Sequence, residues 1–179
     1  MSIQSVNPRT GEEFGPVFAS TTPKEIDQII AAAVASFGTW SQMAAADRAR
    51  ILNSLADGLD ANVERLVDIA DSETGLGKVR LTGEVGRTTF QIRAFAGVLA
   101  RGEFVSPQLD AAVDAPLPQG HPKFLRTYRG IGPVAVFGAS NFPFAFSVLG
   151  GDTASALAAG CSVVIKAHSA HPQTSQLTF

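Results

Sequence analysis

The segment from Gly130 to Ile165 contains one charged side chain, that of Asp152, and it limits the possible folds more than any other feature of the chain. Its apolar pattern predicts a strand over Val134–Phe137, a helix over Val148–Ala159 and a second strand over Ser162–Lys166. Strands that are almost entirely apolar and joined through a helix are typical of a parallel sheet covered on both faces. Two strands cannot make such a sheet alone, so further strands must come from elsewhere.

The first half of the chain has helical spacing. Thr22, Pro23 and Glu25 form a helix start, with Thr22 as the N-cap, and a one-faced amphipathic pattern then continues to Gly38. Three further helical patterns follow, over residues 47–62, 63–74 and 81–100. The predicted fold class is therefore α/β, with a helical N-terminal half leading into a parallel sheet that is incomplete in this chain.

The stretch between Gly102 and Pro122 is rich in proline, which prevents a regular helix and predicts an extended connector or an arm over the surface. Phe124–Arg129 then alternates apolar and polar residues, which is typical of a half-exposed strand. Near the N-terminus, Asn7–Gly11 has the composition of a turn.

Composition excludes several functional classes. A net charge of −2 with scattered Lys and Arg residues argues against nucleic-acid binding. Neither a signal peptide nor a membrane-spanning run is present in the sequence, so we expect a cytoplasmic protein. The single cysteine, Cys161, allows no internal disulfide and no Cys-rich metal site, and its place before a buried strand predicts a small structural hydrophobe.

Ligands of open α/β sheets bind beyond the carboxyl ends of the strands, which here selects the loops Gly138–Pro143 and Lys166–Ser169. A glycine-rich dinucleotide fingerprint should follow the first strand, and none does, so a typical Rossmann pyrophosphate turn is excluded. His168 and His171 lack a third metal ligand, so we predict no metal site and treat both as loop histidines.

Three motifs, in order and spacing, resemble the aldehyde dehydrogenase superfamily: Gly132–Phe137, Asn141–Phe144 and Ala158–Lys166. The turn at Asn7–Gly11 and the helix end at Glu73–Gly75 are also similar, so the resemblance covers essentially the whole chain. Within the superfamily, the two loops and the Gly150–Thr153 segment most resemble the 2,5-dioxopentanoate (α-ketoglutarate semialdehyde) dehydrogenases and the related bacterial NADP-linked fatty-aldehyde enzymes. The resemblance implies a Rossmann-like sheet.

The resemblance also implies a reaction. Family members oxidise an aldehyde through a cysteine thiohemiacetal, pass hydride to NAD(P)+ and hydrolyse the thioester to a carboxylic acid. Asn141 would donate its side-chain amide to the oxyanion of that intermediate, where a fixed neutral donor stabilises the developing charge. The alternative is that Asn141 only caps a turn before Pro143.

The cofactor would lie against the two loops. The resemblance assigns cofactor contacts to Gly138, Ala139 and Ser140, although Ala139 and Ser140 replace the Pro-Trp pair of other branches. Lys166 would hydrogen-bond the adenosine ribose; its alternative is a solvated lysine at the end of a strand.

Ser169, next to His168, departs from the pattern of many NAD-preferring relatives, which carry a glutamate there. A carboxylate repels the 2′-phosphate of NADP, whereas a hydroxyl donates to it. The sequence therefore predicts NADP as the preferred cofactor, with NAD possible. His168 is predicted to contact the cofactor as well.

The implied domain organisation is an incomplete cofactor-binding domain formed by residues 1–111 and 131–179, with residues 112–130 as a connector and oligomerisation strand. The catalytic domain and the nucleophile would lie beyond Phe179, so the chain alone is expected to be inactive and the complete protein to be a homo-oligomer acting on a small aldehyde. Two alternatives stay open: a non-catalytic assembly or interaction module with the same fold, and an α/β nucleotide-binding piece of unrelated function.

Overall fold

A computed structural model describes residues 2–179, apart from the side chain of Glu103. The helices are α1 Pro23–Trp40, α2 Ala45–Ala61, α3 Val63–Thr74, α4 Lys78–Arg101, α5 Gly151–Ala158 and α6 Pro172–Thr178. The strands are β1 Ser2–Val6, β2 Glu13–Ala19, β3 Gln108–Asp110, β4 Phe124–Arg126, β5 Val134–Phe137 and β6 Val163–Lys166. They form three two-stranded sheets, and the predicted α/β class is confirmed.

The hydrophobic core lies among α2, α3, α4 and α5. Leu52, Leu66, Leu81 and Ile92 are at most 2% exposed, and Phe144 from the loop after β5 joins them. Burial of each such side chain contributes about 1.5–3 kcal/mol. Phe144, three residues after Asn141, therefore anchors the loop of Asn141 in the core.

Helices α2, α3 and α4 confirm the three predicted patterns; α4 begins three residues earlier than predicted, at Lys78. Helix α5 begins at Gly151 rather than at the predicted Val148. The reason is the turn before it: Gly150 is extended, and a Cβ there would lie 2.5 Å from the carbonyl oxygen of Ala145. Such close backbone approach requires glycine.

Helix α1 confirms the predicted capping box of Thr22 and Glu25, but it continues past Gly38 to Trp40. Its predicted apolar face is largely uncovered, with exposed fractions of 45–57% for its isoleucines and valine, namely Ile26, Ile29, Ile30 and Val34. Helix α1 is fixed beside the sheet by a hydrogen bond from Ser162 Oγ to the Ala33 carbonyl at 2.7 Å. An apolar stripe next to the sheet thus lacks a covering layer among the described residues.

The antiparallel β1–β2 hairpin at the N-terminus was not predicted, so the first half is not purely helical. Its connection is the predicted turn: the Gly11 N–H donates to the Asn7 carbonyl at 2.8 Å, and Gly11 has a φ of +77°. An ion pair of 2.8 Å between Arg9 and Asp71 ties this turn to α3.

Glu73 joins the hairpin, α3 and α6. Its buried carboxylate accepts the backbone N–H groups of Gln173 and Thr174, both at 2.8 Å, and the Thr174 hydroxyl at 2.6 Å. The hydroxyl of Ser5 in β1 donates to the same carboxylate. Since a helix start leaves backbone donors unpaired, Glu73 satisfies the first turn of α6.

The segment after α4 forms a hairpin rather than only a connector, because β3 pairs antiparallel with β4. All three residues of β4 are exposed, so the prediction of a half-exposed strand over Phe124–Arg129 is wrong in its length and its burial. Leu109 and Leu125 are 61% and 67% exposed, and Arg126 pairs with Asp110 at 2.9 Å. The division of the chain at residues 112–130 stays a prediction, although the hairpin begins earlier, at Gln108.

Strands β5 and β6 confirm the predicted parallel pair, with Val134 opposite Val163 and Phe137 opposite Lys166. Val136 is 4% exposed, whereas Phe137 is 72% exposed. Within residues 2–179, β5 and β6 have no third partner strand, and no helix has the length and apolar character needed to span a bilayer.

Candidate functional site

The two predicted loops meet at the carboxyl edge of β5 and β6. The N–H of Gly138 donates to the carbonyl of Lys166 at 3.0 Å and so extends the pairing of the strands by one residue. A Cβ on Gly138 would lie 3.1 Å from Ser147 Oγ and 3.3 Å from the backbone nitrogen of His168. A larger residue would require Ser147 or the backbone at His168 to shift by a few tenths of an ångström, so glycine favours this close approach.

Ala139 is held through both its backbone N–H and its backbone carbonyl. Its N–H donates to the Phe146 carbonyl at 2.8 Å, and its carbonyl oxygen lies 2.8 Å from Nε2 of His171. A carbonyl only accepts, so Nε2 carries the proton. His171 is 0% exposed, and its Nδ1 lies 3.2 Å from the hydroxyl of Ser175 in α6.

The interpretation of His171 as a loop histidine is therefore wrong: it is a buried structural side chain at the start of α6. His168 does lie in the loop, and its ring stacks on that of His171 at 5.5 Å. Burial, and then the charges of His171 and Lys166, lower the pKa of His168 from its usual 6.5, so His168 is neutral at pH 7. In the described part of the chain, no three His, Cys, Asp or Glu side chains lie close enough together to hold a metal ion.

The loop of Asn141 is clamped from α4. Glu84, 5% exposed, accepts the backbone N–H groups of Phe144 at 2.8 Å and Ala145 at 2.9 Å through Oε1. One helical turn earlier, Arg80 donates to the carbonyl of Asn141 at 2.7 Å. Together these contacts hold the backbone at Asn141 and directly after the loop, at Phe144 and Ala145.

Sequence reasoning missed Arg80 and Glu84. A signal for Glu84 was available, because it occupies the same helical face as Leu81, Val85 and Thr88, which are all buried. A carboxylate on a core-facing stripe must find hydrogen-bond donors. Its partners lie far along the chain, and only the folded structure identifies them.

The side chain of Asn141 is exposed and makes no hydrogen bond to any other described residue. No hydrogen bond among the described residues therefore supports the alternative in which the side chain of Asn141 caps a turn. The only described group of Asn141 that bonds to α4 is its backbone carbonyl, which accepts from Arg80. The amide N–H groups are available to an oxygen at the open edge of the sheet.

The side chains of Ser140, Lys166 and Ser169 are also exposed at this edge, whereas Gly138 and Ala139 are half-buried. Neither of the two loops, residues 138–143 and 166–169, contains an acidic residue. The edge therefore offers hydroxyl, ammonium and amide donors without a carboxylate among them, an arrangement suited to an electron-rich ligand.

Cys161 does not belong to this edge. It precedes β6, whereas Lys166 ends that strand, and its thiol is buried with 4% of the residue exposed. This burial agrees with the prediction of a small structural hydrophobe.

Comparisons with known proteins cover the whole chain. The family model for the aldehyde dehydrogenase family matches residues 1–179. The chain is 46% identical to the alpha-ketoglutaric semialdehyde dehydrogenase of Acinetobacter baylyi and 44% identical to alpha-ketoglutaric semialdehyde dehydrogenase 2 of Azospirillum brasilense. Each comparison covers 98% of this chain but 34% of the relative, so the chain spans about a third of the length of these curated proteins.

The fold is similar to that of solved structures. The crystal structure of an aldehyde dehydrogenase from Brucella melitensis biovar abortus 2308 superposes with a TM-score of 0.86 at 27% identity. The comparison covers 99% of this chain and 35% of that one.

Proposed function

Because the chain belongs to the aldehyde dehydrogenase family, we propose that residues 1–179 provide the oxyanion donor and one wall of the cofactor site of an NAD(P)-dependent aldehyde dehydrogenase. The observation that carries the proposal is the loop of Asn141. Its backbone is fixed by Arg80 and Glu84, while its side-chain amide is exposed and unused at the carboxyl edge of the sheet.

Asn141 acts on the charge that develops during the reaction. When a thiolate adds to the aldehyde carbon, the carbonyl oxygen becomes an anion, and an amide N–H already in place stabilises it without reorganisation. Loss of one such donor typically costs about 10²- to 10³-fold in kcat. The proton of the amide stays on Asn141 throughout, so its role does not depend on pH.

We propose that a nicotinamide cofactor lies against these two loops. At Gly138 a Cβ would lie 3.1 Å from Ser147 Oγ, so the two loops approach closely, and the adjacent edge presents the ammonium of Lys166 and the hydroxyls of Ser140 and Ser169. When bound, the cofactor accepts the hydride released as the aldehyde carbon is oxidised. Lys166 would hold its ribose, and Gly138, Ala139 and His168 would form the surface against which it lies.

NADP is the cofactor that we propose to be preferred. A hydroxyl at Ser169 donates to a 2′-phosphate, and no carboxylate in either loop repels it. Neutral His168 adds no positive charge at the phosphate, so the charge attraction would come from Lys166 and the preference would depend on Ser169.

For the substrate we propose alpha-ketoglutaric semialdehyde, because the two relatives at 44–46% identity carry that name. The product would be the corresponding dicarboxylic acid, 2-oxoglutarate, formed by hydrolysis of the thioester. The nucleophilic cysteine would come from residues outside this sequence, since Cys161 is buried at the opposite end of β6.

The uncovered surfaces support a larger assembly. Further strands would pair at the open edges of the β5–β6 sheet, and further layers would cover Phe137 and the apolar stripe of α1. Strand β4, which lies in the predicted oligomerisation segment 112–130, would contact a second copy of the protein together with β3, and Leu109 and Leu125 are exposed on this hairpin.

The test is aldehyde-dependent reduction of NADP+ and NAD+ by the complete protein, followed as the absorbance of reduced nicotinamide. We expect oxidation of alpha-ketoglutaric semialdehyde with either cofactor, and none by a protein limited to residues 1–179. Activity of residues 1–179 alone would contradict the account of the nucleophile. A complete protein that folds and oligomerises but reduces neither cofactor would favour the assembly module instead.

A further inference from the structure

Two arginines of α4 lie over the aromatic rings of the Asn141 loop. The guanidinium of Arg80 lies 5.2 Å from the ring centre of Phe142, and that of Arg87 lies 5.3 Å from the ring centre of Phe146. The two rings contact each other edge to face, with centres 5.3 Å apart. Arg80 and Arg87 are about two helical turns apart and so share one side of α4.

These guanidiniums are not neutralised by carboxylates. Within the described residues, neither Arg80 nor Arg87 forms an ion pair, and Arg80 donates its one hydrogen bond to a neutral carbonyl, that of Asn141. By contrast, Arg9, Arg93 and Arg126 each contact an aspartate. Both arginines beside the candidate site are exposed, and each has guanidinium N–H groups without a hydrogen-bond acceptor among the described residues.

Glu84 lies between the two arginines on α4 but does not serve as their partner. It is buried, and its Oε1 is used by the N–H groups of Phe144 and Ala145. Its Oε2 is buried without a hydrogen-bond partner among the described residues, so no guanidinium donates to it.

We infer that Arg87, with Arg80 beside it, binds the carboxylate of an aldehyde that carries an acid group at its far end. The inference rests on the proposed function, because it takes the aldehyde oxygen to be held at Asn141. A guanidinium held over a ring keeps its N–H donors, and apart from the bond of Arg80 to Asn141 these donors have no partner among the described residues, so they can make a bidentate contact to a carboxylate. The rings of Phe142 and Phe146 would pack against the methylene carbons between the two ends.

Such a site selects its substrate. A carboxylate placed against an unpaired arginine gains charge-assisted hydrogen bonds, whereas a neutral aldehyde of the same length leaves the cation without a partner. The two arginines differ in one respect: Arg80 also holds the carbonyl of Asn141, so its loss affects every aldehyde. Arg87 makes no such contact, and its loss affects only acidic ones.

The experiment compares alpha-ketoglutaric semialdehyde with pentanal, a neutral aldehyde of similar length, in the complete enzyme and its Arg87→Met variant. Methionine keeps an unbranched side chain against Phe146 and removes the charge. Arg65→Met serves as the matched control, because Arg65 is exposed on α3 outside the candidate site. The kcat/KM of both aldehydes and their dependence on ionic strength are measured.

We expect Arg87→Met to lower kcat/KM for the acidic aldehyde roughly 10- to 100-fold, mainly through KM, and to change that for pentanal less than about threefold. The salt dependence of KM should be weaker in the variant than in the wild-type enzyme. Equal losses with both aldehydes, or no loss with the acidic one, would overturn the inference while leaving the dehydrogenase assignment intact. A wild-type enzyme that oxidises neither aldehyde would overturn both.

Discussion

The buried carboxylate of Glu84 accepts the backbone N–H of Phe144 at 2.8 Å and thereby joins α4 to the loop after β5. The same oxygen accepts the N–H of Ala145 at 2.9 Å. A neutral acceptor would make weaker bonds to both amides, and an apolar side chain would leave them buried and unpaired. Glu84 therefore determines how firmly the loop of Asn141 is held.

Substitution of Glu84 should loosen this loop. We expect Glu84→Ala to lower the free energy of unfolding by about 2–4 kcal/mol, because two buried N–H groups lose their acceptor, and Glu84→Gln to cost about half as much. Urea unfolding measures both. Glu64→Gln, at an exposed position of α3, is the control and should stay within about 0.5 kcal/mol of the wild type. A Glu84→Ala variant as stable as the control would show that the clamp is not needed.

Glu73 should stabilise the attachment of α6, near the C-terminus, as Glu84 stabilises the loop of Asn141. Its carboxylate is the acceptor for two N–H groups of α6 and for the hydroxyls of Ser5 and Thr174. We expect Glu73→Ala to cost about 3 kcal/mol or more and to raise the rate of amide hydrogen exchange in α6 and β1 before that in α2 and α4. Uniform exchange across all four elements would argue against a local role, and Glu13→Gln, at an exposed site in β2, provides the comparison.

His168 should make stability depend on pH. Its pKa is lowered by burial and then by the charges of His171 and Lys166, so the unfolded chain binds a proton near pH 6.5 and the folded protein only at lower pH. At a pH between the pKa of His168 in the unfolded chain and its lower pKa in the folded protein, the unfolded state holds more protons. The free energy of unfolding therefore falls as the pH drops below about 6.5. Urea unfolding at pH 7.5 and pH 5.5 should show a smaller decline in His168→Asn than in the wild type; an unchanged decline would refute this role.

Ser169 should control the choice between the two nicotinamide cofactors. In the complete enzyme, Ser169→Glu places a carboxylate beside the expected 2′-phosphate, and we expect the ratio of kcat/KM for NADP to that for NAD to fall by 10-fold or more, on the order of 1.4 kcal/mol. Ser169→Ala removes the hydroxyl without adding charge and should lower the ratio less. If neither variant changes the ratio, Ser169 does not contact the cofactor.

Much of the fold follows from local pattern. The capping box at Thr22, the end of α3 at Thr74 and the apolar strand Val134–Phe137 are features of neighbouring residues, and each occurs where the sequence predicts it. The second strand, predicted over Ser162–Lys166, begins one residue later, at Val163. The meeting of two loops at Gly138 also follows, because parallel strands end at the same edge of a sheet.

What the sequence did not reveal depends on distant partners. Glu73, Glu84 and His171 are polar side chains whose burial is stabilised by backbone groups far along the chain, and no local pattern identifies those groups. The β1–β2 hairpin was missed because its strands are largely exposed, and in β3–β4 the alternation at Phe124–Arg129 indicated β4 but neither its short length nor its partner β3.

Asn141 offers the most direct test of the central claim, because its backbone is held independently of its side chain. Asn141→Ala should keep the loop in place and lower kcat for alpha-ketoglutaric semialdehyde by about 10²- to 10³-fold, with the KM for NADP+ changed less than about twofold. Val79→Ala, at a 91% exposed site next to Arg80, is the control and should retain full activity. If the kcat of Asn141→Ala stays within about threefold of the wild-type value, Asn141 is not the oxyanion donor.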